Sequence, residues 1–129
     1  MTTEILLDTH TWAWSLLGTK LSVAARSAIE SAALTWVSPI SVYEIAQKAH
    51  IGKWPEMLPR LPDLQAALGW QDGLWADLTP EIAHLAGTLA WPHRDPFDRL
   101  LAATALVHGW VLVSADPVFD SLIGLRRVW

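Results

Sequence analysis

Short apolar runs with β character alternate with segments of helical periodicity along this 129-residue chain. Parallel strands need helical crossovers between them, so this alternation points to an α/β fold: a central parallel β-sheet flanked by α-helices. Strands are expected at Glu4–Leu7, Thr35–Ser38, Leu74–Leu78 and Val111–Ser114, with a short edge strand at Arg126–Trp129. Helices are expected over Thr11–Leu17, Ser41–His50, Leu61–Leu68, Pro80–Ala90 and Pro96–His108, the last stopped by Gly109. A further helix runs from an N-cap at Ser22 through Ala33, with Val23, Ala24, Ile29 and Ala33 as its apolar side. The proline-rich stretch Lys53–Pro62 reads as a loop or a broken helix. No linker, repeat or low-complexity run divides the sequence, so residues 1–129 are expected to form one domain with a substantial core.

Four carboxylates fall at the junctions of this pattern. Asp8 directly follows Ile5-Leu6-Leu7, Glu44 follows the second strand, Asp98 opens the helix after Asp95-Pro96-Phe97, and Asp116 follows Val111–Ser114. The carboxyl ends of parallel strands gather along one sheet edge and form the usual ligand crevice. Carboxylates converging there repel one another unless a cation lies between them. The simplest chemistry is a divalent-metal site used for metal-assisted hydrolysis of a phosphodiester.

Each acid also has a local reading. Asp8 suits an N-cap. Ser41-x-x-Glu44 matches a capping box, and on spacing alone capping is the favoured reading for Glu44. Asp95 before Pro96 is a good N-cap, which leaves Asp98 in the first turn for the metal. Asp116 again reads as a cap or a ligand. Around them, Thr9 and Ser114 are candidates to steady the outer shell, although Ser114 equally ends a strand. Arg99 either pairs with a neighbouring acid, touches phosphate or is simply solvated. Asp120 reads as a surface residue. His10 and His93 lie near the acids in sequence, yet the five histidines show no metal-ligand spacing. Four independent capping explanations at four successive sheet-edge positions are less economical than one site.

The balance of charges bounds the partners. A net charge of −4 argues against a general nucleic-acid coating protein, while Lys48, Lys53, Arg94, Arg99, Arg126 and Arg127 remain as candidates to meet phosphate. With no cysteine, disulfides and cysteine-ligated zinc are excluded. No apolar stretch is long enough to span a bilayer and no signal peptide is evident, so a cytoplasmic protein without a membrane role is expected. Nine tryptophans, 52% hydrophobic residues and a mean hydropathy of +0.27 suggest an exposed apolar patch that meets a partner.

The same segments carry a family resemblance. Leu6-Leu7-Asp8-Thr9-His10-Thr11-Trp12-Ala13-Trp14 looks like the opening motif of PIN-domain nucleases. Ser38-Pro39-Ile40-Ser41-Val42-Tyr43-Glu44-Ile45-Ala46, closing on His50-Ile51-Gly52-Lys53, resembles their second acidic motif. His93 to Ala105, built around Asp95-Pro96-Phe97-Asp98-Arg99, is similar to the third, and Val111-Leu112-Val113-Ser114-Ala115-Asp116 to the fourth. Serine at 114 replaces the family's more frequent threonine and keeps the hydroxyl. The resemblance runs from about Ile5 to Trp129, and the set looks like the VapC-type toxins of toxin–antitoxin pairs. It implies that Asp8, Glu44, Asp98 and Asp116 are the Mg²⁺- or Mn²⁺-binding acids of an endoribonuclease. It also implies a homodimer, an RNA substrate and a VapB-like antitoxin whose C-terminal segment blocks the crevice. Trp54, Met57, Leu58 and Leu61 are candidates for the antitoxin groove, with loop packing as the plainer explanation.

Two rivals remain at this level. One is a non-catalytic interaction module whose acids only cap helices. The other is an aspartyl-phosphate phosphohydrolase built on Asp8; that chemistry normally has a second acid two residues on, where this chain has His10, and a lysine that the chain does not convincingly supply.

Overall fold

Strand β1 (Glu4–Leu7) is apolar on both sides because it lies in the middle of the sheet. The computed structural model describes residues 3–129, and its sheet is five-stranded and wholly parallel, in the order β3-β2-β1-β4-β5. The other strands are β2 (Leu34–Val37), β3 (Leu74–Trp75), β4 (Val111–Val113) and β5 (Arg127–Val128). Successive side chains of β1 point to opposite faces. Ile5 and Leu7 join one core cluster with Trp12, Ile45, Met57 and Leu68. Leu6 joins the other, with Trp91, Leu101, Trp110, Leu112 and Phe119. Burial on both faces is what removes the polar alternation from these runs.

Six α-helices cover the sheet: α1 (Thr9–Leu17), α2 (Val23–Ser31), α3 (Pro39–His50), α4 (Leu64–Trp70), α5 (Pro80–Thr88) and α6 (Pro96–His108). α6 has the expected bounds and stops at Gly109, whose φ of 70° is the left-handed conformation that glycine adopts without a Cβ penalty. Two 3₁₀ segments, Pro55–Asp63 and Pro117–Ser121, complete the chain. Among the described residues no helix is long and apolar enough to cross a membrane.

The structure corrects several expectations. Ser22 does cap α2, but Val23 is 88% exposed and Ala24 is also exposed. The inward stripe is the buried Ala25 with the partly buried Ala28, Ile29 and Ala32, so Ile29 faces the core as expected while Val23, Ala24 and Ala33 do not. That stripe has the i, i+3, i+4, i+7 spacing, and its alanines allow close approach to the sheet. β3 is two residues long rather than the expected Leu74–Leu78, and β2 begins one residue early, at Leu34. The tryptophans divide: Trp12, Trp54, Trp91 and Trp110 are buried, while Trp70 and Trp75 are exposed. Loop packing accounts for the suggested antitoxin groove, since Met57 and Trp54 are buried and Leu61 packs on the same core. Of the four residues proposed for that groove, only Leu58 is exposed.

Candidate active site

In a parallel sheet with returning helices, the strand C-termini and the helix N-termini meet along one edge. α1, α3, α6 and the 3₁₀ segment Pro117–Ser121 all begin at that edge, and their partially positive ends favour carboxylates. A pocket of about 140 Å³ opens there, lined by Asp8, Thr9, His10, Glu44, Lys48, Asp95, Asp98 and Asp116. The four acids singled out in the sequence therefore share one pocket, with Asp95 as a fifth carboxylate.

Three of these acids are also caps. Asp8 Oδ1 accepts from the Thr11 N–H at 2.8 Å. Asp95 Oδ1 accepts from the N–H groups of Phe97 (2.8 Å) and Asp98 (3.3 Å). Asp116 Oδ1 accepts from the Val118 N–H at 2.9 Å. Capping and site formation are compatible because one oxygen serves the backbone while the other is left for the pocket.

Glu44 behaves differently, and here the capping-box expectation fails. α3 starts at Pro39, with Ser38 accepting from the Ile40 N–H at 3.2 Å. Proline has no N–H to satisfy and suits the first helical position, so Ser38-Pro39 outcompetes Ser41 as the helix start. The buried Ser41 hydroxyl instead bonds Thr9 Oγ1 at 2.9 Å, tying the beginnings of α1 and α3 together. Glu44 is then beyond reach of the cap. Glu44 is 5% exposed and lines the pocket, with Oε2 accepting from Lys48 Nζ at 2.8 Å.

Asp98 carries the clearest electrostatic signature. Its carboxyl is pushed up from 3.8 to about 6, chiefly by burial. The negative charges of Asp95 and Glu44 push the same way, while a 2.7 Å bond to His93 Nε2 opposes them. An acid held this uncomfortably among other acids favours the arrival of a cation. The donors are hard oxygens, which match Mg²⁺ or Mn²⁺ in ligand type. Among the described residues the tightest cluster of possible ligand atoms is a different trio, His93, Asp95 and Asp98, lying within 4.8 Å of one another. His93 Nε2 is already bonded to Asp98, and Asp95 Oδ1 already serves two amides. Within the trio, His93 therefore braces Asp98, and Asp95 keeps Oδ2 for the wider pocket as the other capping acids do.

Two supporting expectations change. Arg99 is turned away from phosphate: its guanidinium donates to the carbonyls of Ala86, Leu89, Trp91 and His93 at 2.7–2.9 Å. It clamps the α5–α6 connection onto α6, because four backbone carbonyls at the end of α5 and beyond need donors. Ser114 is fully buried, and its Oγ accepts from the Asp116 N–H at 3.1 Å, so it shapes the turn that presents Asp116. Thr9 does line the pocket. Asp120 is a surface residue gripped by the Arg127 guanidinium at 2.8–2.9 Å.

Lys48, a sequence candidate to meet phosphate, lines the pocket bonded to Glu44, a pairing that the i, i+4 spacing signals. The two histidines near the acids in sequence divide: His10 lines the pocket, while His93 bonds Asp98, a contact that depends on how the chain turns before α6.

Known proteins resemble this chain over most of its length. The PIN domain family matches residues 5–124. Ribonuclease VapC22 of Mycobacterium tuberculosis (strain ATCC 25618 / H37Rv) is 39% identical over 118 residues, covering 88% of each chain. Among solved structures, VapBC2 from Rickettsia felis bound to a DNA fragment from their promoter aligns with a TM-score of 0.71 at 16% identity, over 97% of both chains. DNA-bound VapBC from Salmonella typhimurium aligns at 0.70 and 19% identity, over 98% of this chain and 97% of that one. At those identities the two structures speak to the fold alone.

Proposed function

The chain belongs to the PIN domain family, and from that premise we propose that it is a divalent-metal-dependent endoribonuclease acting as the toxin of a type II toxin–antitoxin pair. The observation that carries the reading is the gathering of Asp8, Glu44, Asp98 and Asp116 in one pocket at the carboxyl edge of the sheet. Glu44 and Asp98 are the decisive pair, because neither spends its carboxylate on a helix cap. That separates the site from a module whose acids only cap.

These four acids would hold the metal, Mg²⁺ or Mn²⁺. When bound, such an ion supplies a water of lowered pKa as nucleophile and neutralises charge on the phosphate. The protein's own contribution is positional. Backbone caps fix Asp8 and Asp116, the Thr9–Ser41 bond fixes the approach of α1 to α3, and His93 holds Asp98. Asp95 anchors the first turn of α6 so that Asp98 faces the pocket. Lys48 is the one lysine or arginine lining the pocket and tempers the repulsion felt by an incoming polyanion. No side chain is required as a covalent nucleophile.

The partner is a VapB-like antitoxin, a reading supported by the relative named VapC22 and by the VapBC assemblies among the fold neighbours. The exposed Leu74, Trp75 and Leu78, on or beside edge strand β3, offer an apolar surface for a second copy in a homodimer. The setting is the cytoplasm, where RNA and an antitoxin are both at hand, and one domain spans residues 1–129.

The test is cleavage of an RNA panel by partner-free protein with Mg²⁺ or Mn²⁺, with EDTA, and with Asp98→Asn, alongside calorimetric titration of the metal. Cutting that needs metal and is lost in the variant is expected. A folded, metal-loaded protein that cuts no RNA would overturn the nuclease reading.

A further inference from the structure

The acidic pocket shares a wall with a larger cavity. His10 lines the acidic pocket, and its ring stacks on Trp54 with 4.7 Å between centroids and 26° between planes. Trp54 in turn lines a second cavity of about 390 Å³, together with Trp14, Lys20 and Glu56. The rings of His10 and Trp14 lie 5.7 Å apart, so aromatic surface continues from one cavity to the other. Cations flank both indoles. Lys48 Nζ lies 5.9 Å from the Trp54 centroid and Lys20 Nζ 5.8 Å from that of Trp14. Lys20 follows the helix stop at Gly18 on the exposed rim of this cavity, with a backbone φ of 63°.

We propose that this second cavity is a nucleobase subsite, which takes an unpaired base of single-stranded RNA beside the phosphate that enters the acidic pocket. The inference rests on the ribonuclease reading and adds what that reading lacks, a grip on the base. Carboxylates and a metal handle phosphate and say nothing about the base attached to it. Single-stranded RNA is held by aromatic faces that stack the bases and basic side chains that track the backbone. Both elements are present here, on the correct side of the wall. Lys48 stands at the junction, bonded to Glu44 in one pocket and poised over Trp54 beside the other.

The experiment measures RNA affinity in an Asp98→Asn background, which keeps the strand uncut, and cleavage in the otherwise native protein. Trp14→Ala is expected to weaken binding by roughly tenfold. An RNA with one abasic nucleotide next to the cleaved phosphate is expected to lose about the same, and the two losses together should not add. Trp14→Phe should restore most of the affinity. Trp14 also packs on Trp129 at 5.6 Å, so a second variant, Thr19→Trp, fills the cavity from its exposed rim and should mimic the loss without removing that contact. Losses that simply add, or unchanged binding in both Trp14→Ala and Thr19→Trp, would overturn the subsite while cleavage still supports the nuclease. RNA binding that is unchanged while a copurifying polypeptide is lost would assign the cavity to that peptide and also overturn it. Base-dependent binding with no cutting by native protein would sink the nuclease reading and leave the subsite standing. Neither binding nor cutting would end both.

Discussion

Glu4 and Asp8 sit at opposite ends of one stretch of β1, and their surroundings differ completely. At the amino end, the Glu4 carboxylate accepts from the Trp36 indole at 3.0 Å and borders a cavity lined by Trp36, Trp75, Asp77, His108 and Trp110. The rings of Trp36 and Trp110 stack at 4.6 Å, and those of Trp110 and His108 at 4.1 Å. At the carboxyl end, Asp8 meets the starts of α1, α3 and α6 and four other carboxylates. The strand is the same; what changes is which helix ends arrive. Unsatisfied N–H groups collect at one edge and make it hospitable to anions, and the acids gathered there in turn make it hospitable to a metal. The opposite edge offers rings rather than helix starts, and the Trp36 indole N–H serves Glu4 by itself.

The sharpest way to break that contrast is to remove charge at each end in turn. Asp8→Asn should lower metal-dependent cleavage by roughly 10²-fold or more, since loss of groups that merely orient ligands already costs 10–100-fold. Glu4→Gln should leave cleavage unchanged. Equal effects on turnover would mean that the edge does not decide the chemistry.

A structural counterpart is Arg99, which lies close to the acids in sequence but is committed to four carbonyls. Arg99→Ala should destabilise the fold by about 3 kcal/mol in chemical denaturation, because buried carbonyls lose their donors. Turnover per folded molecule should fall far less. A variant as stable as wild type but inactive would return Arg99 to the substrate.

Protonation sharpens the comparison further. The folded carboxyl of Asp98 sits at about 6, above its ordinary 3.8. Its charged form therefore costs the metal-free protein stability above that pH, and the cost disappears once pH falls below about 4, where both states are protonated. Metal-free Asp98→Asn should accordingly have a higher Tm than wild type at pH 7, and the advantage should shrink to nothing on going from pH 6 to 4. Metal affinity measured by calorimetry should weaken below pH 6 for the same reason. A Tm difference that is flat across this range would remove desolvation as the cause.

The smallest expected effect concerns the start of α3. Ser38→Ala should cost about 1 kcal/mol as a lost cap, and its effect should add to that of Thr9→Ala. Ser41→Ala should instead be non-additive with Thr9→Ala, since the two hydroxyls bond each other. Additivity in the second pair would restore Ser41 to the capping role suggested by its spacing.

The pattern of legible and illegible features follows from range. β1, the exact span of α6, the caps at Asp8, Ser22 and Asp95, and the Gly109 stop all depend on residues within a turn or two, and each could be read in order along the chain. At α3 two local signals compete, Ser38-Pro39 and the Ser41-x-x-Glu44 box, and the proline at the first helical position decides for the former. The phase of α2 was not legible, because Val23 and Ala25 both fit a helical stripe and the sheet alone chooses between them. The lengths of β2 and β3 depend on partners that are remote in sequence.

By itself the sequence determined the alternation of strands and helices, and with it the placement of Asp8, Asp98 and Asp116 at strand and helix ends, because hydrophobic period and capping chemistry are local. Only the tertiary structure decided that the Glu44–Lys48 pair faces the pocket, that His93 braces Asp98, that Arg99 faces carbonyls and that His10 joins the acids to an aromatic cavity. The direction of a side chain is settled by whatever packs on it from elsewhere in the chain, and no spacing encodes that.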